Sequence, residues 1–219
     1  AAAVGVVAVV AGDGLAAIFR EFGVVAIVEG GQTANPSTAE LLDAIGTVAA
    51  KEIIVLPNNR NVILVAQQVA ALVDRPVVVV PTRNAAEGFA ALLAMDPGMG
   101  ADANVGPMTE AVESIQTLVV TEAVRDASID GRKVKRGQTI VLDPAEGLMA
   151  AGADRDKAVL TAVAALEPGY ELLSVFYGDG ADLAEAEALA RRIGDLLAGV
   201  EVEVRHGGQP FYRYLIAVE

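Results

Sequence analysis

The sequence predicts an α/β fold of two lobes: an N-terminal parallel doubly wound sheet over 1–106 and a smaller mixed-sheet α/β lobe over 107–219. Three observations predict it. Through the first half, short fully apolar runs bounded by turn residues alternate with helix-period segments, as in parallel strands buried on both faces. A stretch rich in Gly, Pro, Asp and Asn, from Asp96 to Gly106, then reads as a loop and a boundary. Beyond it the strand signals crowd together and include Ile129-Asp130-Gly131-Arg132-Lys133-Val134, where Asp-Gly marks a hairpin turn.

Taken in order, Val4 to Val10 is an apolar strand ended at Gly12, and Leu15 to Phe22 has helical spacing. Val24 to Val28 is a second strand, stopped by Gly30-Gly31 and followed by a helix from Ser37 to Ala50. Ile53 to Leu56 and the helix Asn61 to Val73 form the next unit. Val77 to Val80, held between Pro76 and Pro81, and the helix Ala85 to Leu93 form the last. Crossovers between such strands are right-handed. In the second lobe a helix from Met108 to Ile115 leads into a strand over Thr117 to Ala127, the hairpin, and a strand at Thr139 to Leu142. A helix at Lys157 to Leu166, a strand at Leu172 to Tyr177, a helix at Ala181 to Leu197, and strands at Val200 to Arg205 and Tyr212 to Val218 complete the chain.

The chain is 53% hydrophobic but 4% aromatic, a mix suited to buried strands under Ala-rich helices. Its formal charge of -13 disfavours nucleic acid, which needs clustered Lys and Arg, and disfavours an anionic membrane surface. Acidity serves solubility first and a basic protein partner second. With no Cys and one His, thiolate zinc and His-rich metal sites are excluded. No apolar run approaches a membrane span, and no secretory leader is evident. Ala1-Ala2-Ala3 runs directly into a strand without an initiator Met, as expected of a piece cut from a longer protein.

Ligands of open parallel sheets bind beyond the carboxyl ends of the strands. The polar residues fall at those ends. They are Gly12-Asp13-Gly14, the loop from Gly30 to Thr38, Pro57-Asn58-Asn59-Arg60-Asn61, and Pro81-Thr82-Arg83-Asn84. The candidate binding residues are Gln32, Thr33, Asn35, Ser37, Thr38, Asn58, Asn59 and Thr82, with Arg125, Gly208 and Gln209 from the second lobe. Amides, hydroxyls and helix N-termini of this kind bind a carboxylate or phosphate, or contact a partner. The same residue types also cap helices. Ser37-Thr38-Ala39-Glu40 fits a capping box, and Asn59 or Asn61 fits an N-cap. Gly12 and Gly14 do not complete a dinucleotide fingerprint, because Ala17 stands where the third Gly belongs. No phosphate-binding P-loop and no G-x-S-x-G elbow is present. Asp126, Asp130 and Asp143 read as turn residues. No catalytic and no metal-ligating residue is expected.

Several strings carry a resemblance. They are Gly30-Gly31-Gln32-Thr33-Ala34-Asn35-Pro36-Ser37-Thr38, Leu56-Pro57-Asn58-Asn59-Arg60-Asn61, Val80-Pro81-Thr82-Arg83, Ala123-Val124-Arg125-Asp126 and Gly207-Gly208-Gln209-Pro210-Phe211-Tyr212. In this order, across essentially the whole chain, they resemble the C-terminal region of FakA/YloV-type fatty acid kinases, also called DAK2 or DhaL-domain proteins. The resemblance implies a cytoplasmic protein in which a separate DhaL domain holds ATP and magnesium and phosphorylates a fatty acid. A DegV-type carrier, FakB, presents that fatty acid, and the C-terminal region engages the carrier. No ATP-site aspartates have counterparts here, so no cofactor is expected in this chain. A more distant resemblance to DegV implies a two-lobe DegV-like (DAK1/DegV-type) layout. DegV carriers grip the acyl carboxylate with a Ser/Thr pair and a His or Arg. Thr33, Ser37, Thr38 and His206 are the residues here of the matching types. The expected function is a docking or regulatory module engaging a DegV/FakB-type protein. The alternative is a small-ligand domain for a fatty acid or other anion, and a phosphatase is the least supported reading. An oligomer is compatible with each.

Overall fold

The computed structural model describes residues 2–30 and 35–219. Two compact units result, Ala1–Ile115 and Gln116–Glu219.

The first unit runs β1 (Ala2–Val10), α1 (Asp13–Glu21), β2 (Ala26–Glu29), α2 (Thr38–Thr47), β3 (Ala50–Leu56), α3 (Arg60–Ala70), β4 (Val77–Val79), α4 (Ala85–Leu93) and α5 (Ala101–Ser114). Its strands lie in the order β2-β1-β3-β4, and every pairing is parallel. The chain winds from β1 to β2 and then crosses to β3 and β4, so the topological switch lies between β1 and β3. Val7, Val9, Ile53 and Val55 pack in one cluster with Leu41 and Ile45 of α2 and Val62, Ala66 and Val69 of α3. The alternate residues Val6, Ala8, Val10, Ile54 and Leu56 are also buried and face the other side. That two-sided burial explains why these strands read as unbroken apolar runs.

β3 begins at Ala50, three residues before the expected start at Ile53. The Arg75 guanidinium donates to the carbonyls of Ile45, Val48 and Ala50, serving both the end of α2 and the entry to β3.

The stretch expected as a loop, Asp96 to Gly106, is half helix. α5 begins at Ala101 and continues through Pro107. Its start is set by distant groups. Glu52 on β3 accepts from the Ala101 N–H at 2.6 Å. The buried Asn104 side chain donates to the carbonyls of Asp96 and Gly100, both at 3.0 Å, and accepts from the Asp96 N–H at 2.8 Å. Met108 and Val112 then bury their side chains. α5 therefore belongs to the first unit, and the division falls at 115/116 instead of 106/107.

The second unit runs β5 (Gln116–Glu122), β6 (Ala127–Ile129), β7 (Arg132–Val134), β8 (Thr139–Leu142), β9 (Leu148–Gly152), α6 (Arg155–Ala164), β10 (Leu172–Tyr177), α7 (Leu183–Leu196), β11 (Glu201–His206) and β12 (Tyr214–Val218). Its six-stranded sheet has the order β11-β10-β12-β5-β8-β9, and β6-β7 forms a separate hairpin. Only β10 and β11 pair in parallel within the larger sheet. Val159, Ala162 and Val163 of α6 and Ala186, Leu189 and Ile193 of α7 pack with Leu173, Val175, Tyr214 and Ile216. Expected as the smaller lobe, this unit carries the wider sheet.

The strand expected over Thr117 to Ala127 is two elements. β5 ends at Glu122; the next residue, Ala123, still donates to the Gln138 carbonyl, but its own carbonyl accepts from Gly137, which breaks the regular ladder. β9 was not anticipated, since Leu148-Met149-Ala150-Ala151-Gly152 has no β-branched residue. Antiparallel pairing with β8 supplies what local preference does not.

Candidate functional site

In the first unit the switch between β1 and β3 is occupied by Asn58. This residue has φ 53°, in the left-handed region that Asn tolerates better than most residues. That turn aims its amide back across the sheet. Its Nδ2 donates to the Val9 carbonyl of β1 at 3.0 Å. The Thr82 hydroxyl, beyond β4, donates to Asn58 Oδ1 at 2.8 Å and accepts from the Asn58 N–H at 2.9 Å. Thr82 is 0% exposed. One side chain thus ties together the ends of three strands.

α4 closes over this lock at Gly88. A Cβ there would lie 2.3 Å from Asn58 Oδ1 and 2.9 Å from Cζ of Phe19, so only Gly admits the approach. The Phe19 ring is buried and lies 4.4 Å, centroid to centroid, from Phe89. Asn59 caps α3, accepting from the Asn61 N–H at 2.8 Å, and Asn84 caps α4, accepting from the Glu87 N–H at 2.9 Å. The buried Glu87 carboxylate accepts from the Arg83 N–H at 2.7 Å and pairs with its guanidinium at 2.8 Å.

Of the expected rim residues, Asn58, Asn59 and Thr82 are therefore brought together and bonded within the chain. Ser37 forms the expected capping box, accepting from the Glu40 N–H at 3.1 Å. Thr38 opens α2 and is exposed, as is Asn35. Gln32 and Thr33 lie outside the described residues. Gly88 and Glu87 were not anticipated; a lone Gly or Glu inside a helical pattern carries no signal of a close approach or a buried pair.

The second-unit candidates fall at one end of the six-stranded sheet. Gln209 is 4% exposed, and its Nε2 donates to the Phe176 carbonyl at 2.9 Å. A Cβ on Gly207 would lie 2.0 Å from Gln209 Oε1, so that Gly makes room for the amide. Gly208, with φ 69°, donates its N–H to the Tyr177 carbonyl, which also accepts from Gly207. The Gln209 Nε2 is thus committed within the chain, whereas its Oε1 is buried without a hydrogen-bond partner among the described residues. His206 ends β11 and meets the Tyr177 ring edge-on at 5.3 Å. Burial pushes the Tyr212 phenol well up, and the Glu146 carboxylate adds to the shift. Arg125 is exposed. Asp143 accepts from the Ala145 and Gly147 N–H groups within its own turn, whereas Asp126 and Asp130 accept from the N–H groups of Arg136 and Leu148, farther along the chain.

Among the described residues no group of three or more His, Asp or Glu side chains is placed to hold a metal ion. Nor, among them, is any helix long and apolar enough to cross a membrane.

The fold is that of DegV family proteins. One from Corynebacterium glutamicum matches with a TM-score of 0.72 at 14% identity, covering 100% of this chain and 98% of that one. The Streptococcus pneumoniae fatty acid kinase B3 protein, solved loaded with linoleic acid, matches with a TM-score of 0.61 at 15% identity over 84% of this chain and 76% of that one. In sequence, protein YloV of Bacillus subtilis is 35% identical over 221 residues, covering 98% of this chain and 39% of YloV. The chain thus spans well under half the length of that relative. Residues 5–219 match the family of FakA-like fatty acid kinase C-terminal regions, and the chain belongs to that family.

Proposed function

We propose that this chain is a docking module. It engages a DegV-type fatty-acid-binding protein in the cytoplasm, so that a kinase domain elsewhere in the parent protein can phosphorylate the acyl carboxylate. ATP and magnesium belong to that other domain, and this chain supplies no covalent chemistry. Tethering the carrier raises the effective concentration of its cargo at the kinase, which accelerates transfer without any new catalytic contact.

The observation that carries this reading is the internally bonded switch point. Asn58 and Thr82 stand where an open parallel sheet holds its ligand, yet their polar atoms are committed to each other and to Val9. A fold built for a ligand, with that crevice filled by its own side chain, suits contact through its surface. Calorimetry tests it: this chain is titrated with the DegV-type protein of the same organism, loaded and unloaded with fatty acid. Saturable binding is expected in the micromolar range or tighter. No heat at tens of micromolar, with the carrier proven active beside the full-length kinase, overturns the proposal.

A second reading is a fatty acid or other anion held by this chain, favoured by the likeness to a protein solved with linoleic acid. Native mass spectrometry of gently purified protein separates the two. A co-purified acyl chain supports the second reading, and an unliganded mass supports docking.

A further inference from the structure

The docking reading leaves the contact face unassigned, and the second unit presents one. Phe211 has φ 67°, rare for an aromatic residue, and the Tyr212 N–H donates to the Pro210 carbonyl at 2.8 Å across it. This is a γ-turn in its strained, positive-φ form. Such a conformation persists only when its surroundings enforce it, and strain of this kind gathers at functional sites. The enforcement is visible. The Thr121 hydroxyl donates to the Phe211 carbonyl at 2.7 Å, the Asp179 N–H to the Gln209 carbonyl at 2.9 Å, and the Gly178 N–H to the Arg213 carbonyl at 2.9 Å. A Cβ at Gly178 would lie 2.3 Å from the Tyr212 carbonyl oxygen, so the turn is pressed onto backbone that only Gly allows. Yet the ring this turn presents is 59% exposed.

Thr121, which holds that turn, lies three residues before Val124, itself 84% exposed. The segment 135–138 lies against the same stretch. Ala123 exchanges hydrogen bonds with Gly137 and Gln138, and Asp126 accepts from the Arg136 N–H at 2.8 Å. Arg125, Lys135 and Arg136 are all exposed, and among the described residues none of the three pairs with a carboxylate. Residues 125–136 hold five Lys and Arg against two Asp, in a chain of formal charge -13. Both of those Asp side chains are bonded to backbone N–H groups.

We infer that Phe211 and Val124, flanked by Arg125, Lys135 and Arg136, form the docking face, and that it fits a protein surface presenting carboxylates around an apolar pocket. The inference rests on the docking reading and gives it a place. Aromatic residues held rigidly lose little entropy on burial and dominate contact energies. A cationic rim in an otherwise acidic chain selects an acidic patch on the partner and repels basic ones.

The test compares the unsubstituted chain with Phe211→Ala and with the triple variant Arg125→Glu, Lys135→Glu, Arg136→Glu, titrated into the same DegV-type carrier at two salt concentrations. All substituted side chains are exposed, and circular dichroism confirms the fold of each. Phe211→Ala is expected to weaken binding tenfold or more. The triple variant is expected to weaken it at least as much and to remove most of the salt dependence. If the unsubstituted chain does not bind the carrier, the docking reading fails and this assignment with it. If it binds and both variants bind within twofold of it, docking stands and this face is wrong. Sedimentation with phosphatidylglycerol vesicles is the second arm. Charge-dependent sedimentation together with unchanged carrier binding would assign the face to lipid and overturn the inference.

Discussion

Thr82→Val tests whether the switch point is closed by its own bonds. The substitution keeps the shape of a fully buried side chain and removes one hydroxyl. That hydroxyl accepts from the Asn58 N–H and donates to Asn58 Oδ1. Valine leaves both groups without that partner, at about 1–3 kcal/mol each when no water replaces it. Asn58 is only half-buried, which puts the loss toward the lower end, and the added methyl returns about 0.8 kcal/mol. The expected net loss is about 2 kcal/mol. With a urea m-value of about 1–3 kcal/mol per molar, the midpoint falls by about 1 M. Far-ultraviolet circular dichroism reads the shift, and amide exchange localises it to peptides covering β3, β4 and α4. All four tyrosines lie in the second unit, so tyrosine emission is an internal control for that unit. A midpoint unchanged within about 0.5 kcal/mol refutes the reasoning. It would mean that water already serves Asn58, that the crevice is open, and that a ligand has room there.

Two further outcomes follow from the local geometry. Ser37→Ala removes the capping box of α2 and should cost about 1 kcal/mol in thermal unfolding, while Thr38→Ala beside it should stay within about 0.5 kcal/mol. The raised Tyr212 phenol favours its neutral form in the folded chain, so its contribution is present below pH 10.0 and lost as pH rises toward the folded value. Tyr212→Phe should lessen the slope of the alkaline limb of stability, read as urea midpoints across that range, without removing it, because burial raises Tyr170 and Tyr214 as well; an unchanged limb would place the titration on those two.

The strand and helix order of the first unit was legible because two-sided burial leaves apolar runs, and Gly or Pro stands close after most of them. α5 was not legible, because its N-terminus is fixed by Glu52, 49 residues earlier in the chain, and Pro107 argues locally against it. β9 was missed for a related reason: its identity comes from pairing with β8. The candidate rim was legible in position, and at Ser37 and Asn59 the capping duty was legible as one of two. Asn59 and Ser37 have the side chains of a ligand site and the bonds of helix caps. Residue type alone does not separate the two duties, since both need a short side chain with an oxygen near free N–H groups. Phe211 stood within a recognised string, yet nothing in its identity foretold a positive φ.

The distribution of uncommitted groups in the first unit favours a surface over a crevice there. An anion entering between β1 and β3 would have to displace Asn58, breaking its bonds to Val9 and Thr82. Each of those is worth about 1 kcal/mol net, and each group left unpaired costs more. A partner settling on Phe211 and Val124 displaces only water. The strain at φ 67° is already present in the free protein, held by Thr121 and by the close approach at Gly178. Binding there needs little reorganisation, and preorganised contacts keep more of their gross energy as affinity. The same argument sets the order of sensitivity. Loosening the turn through Thr121→Val should weaken partner binding without touching a contacting side chain, whereas loosening the rim through Thr82→Val should cost stability and leave that affinity in place.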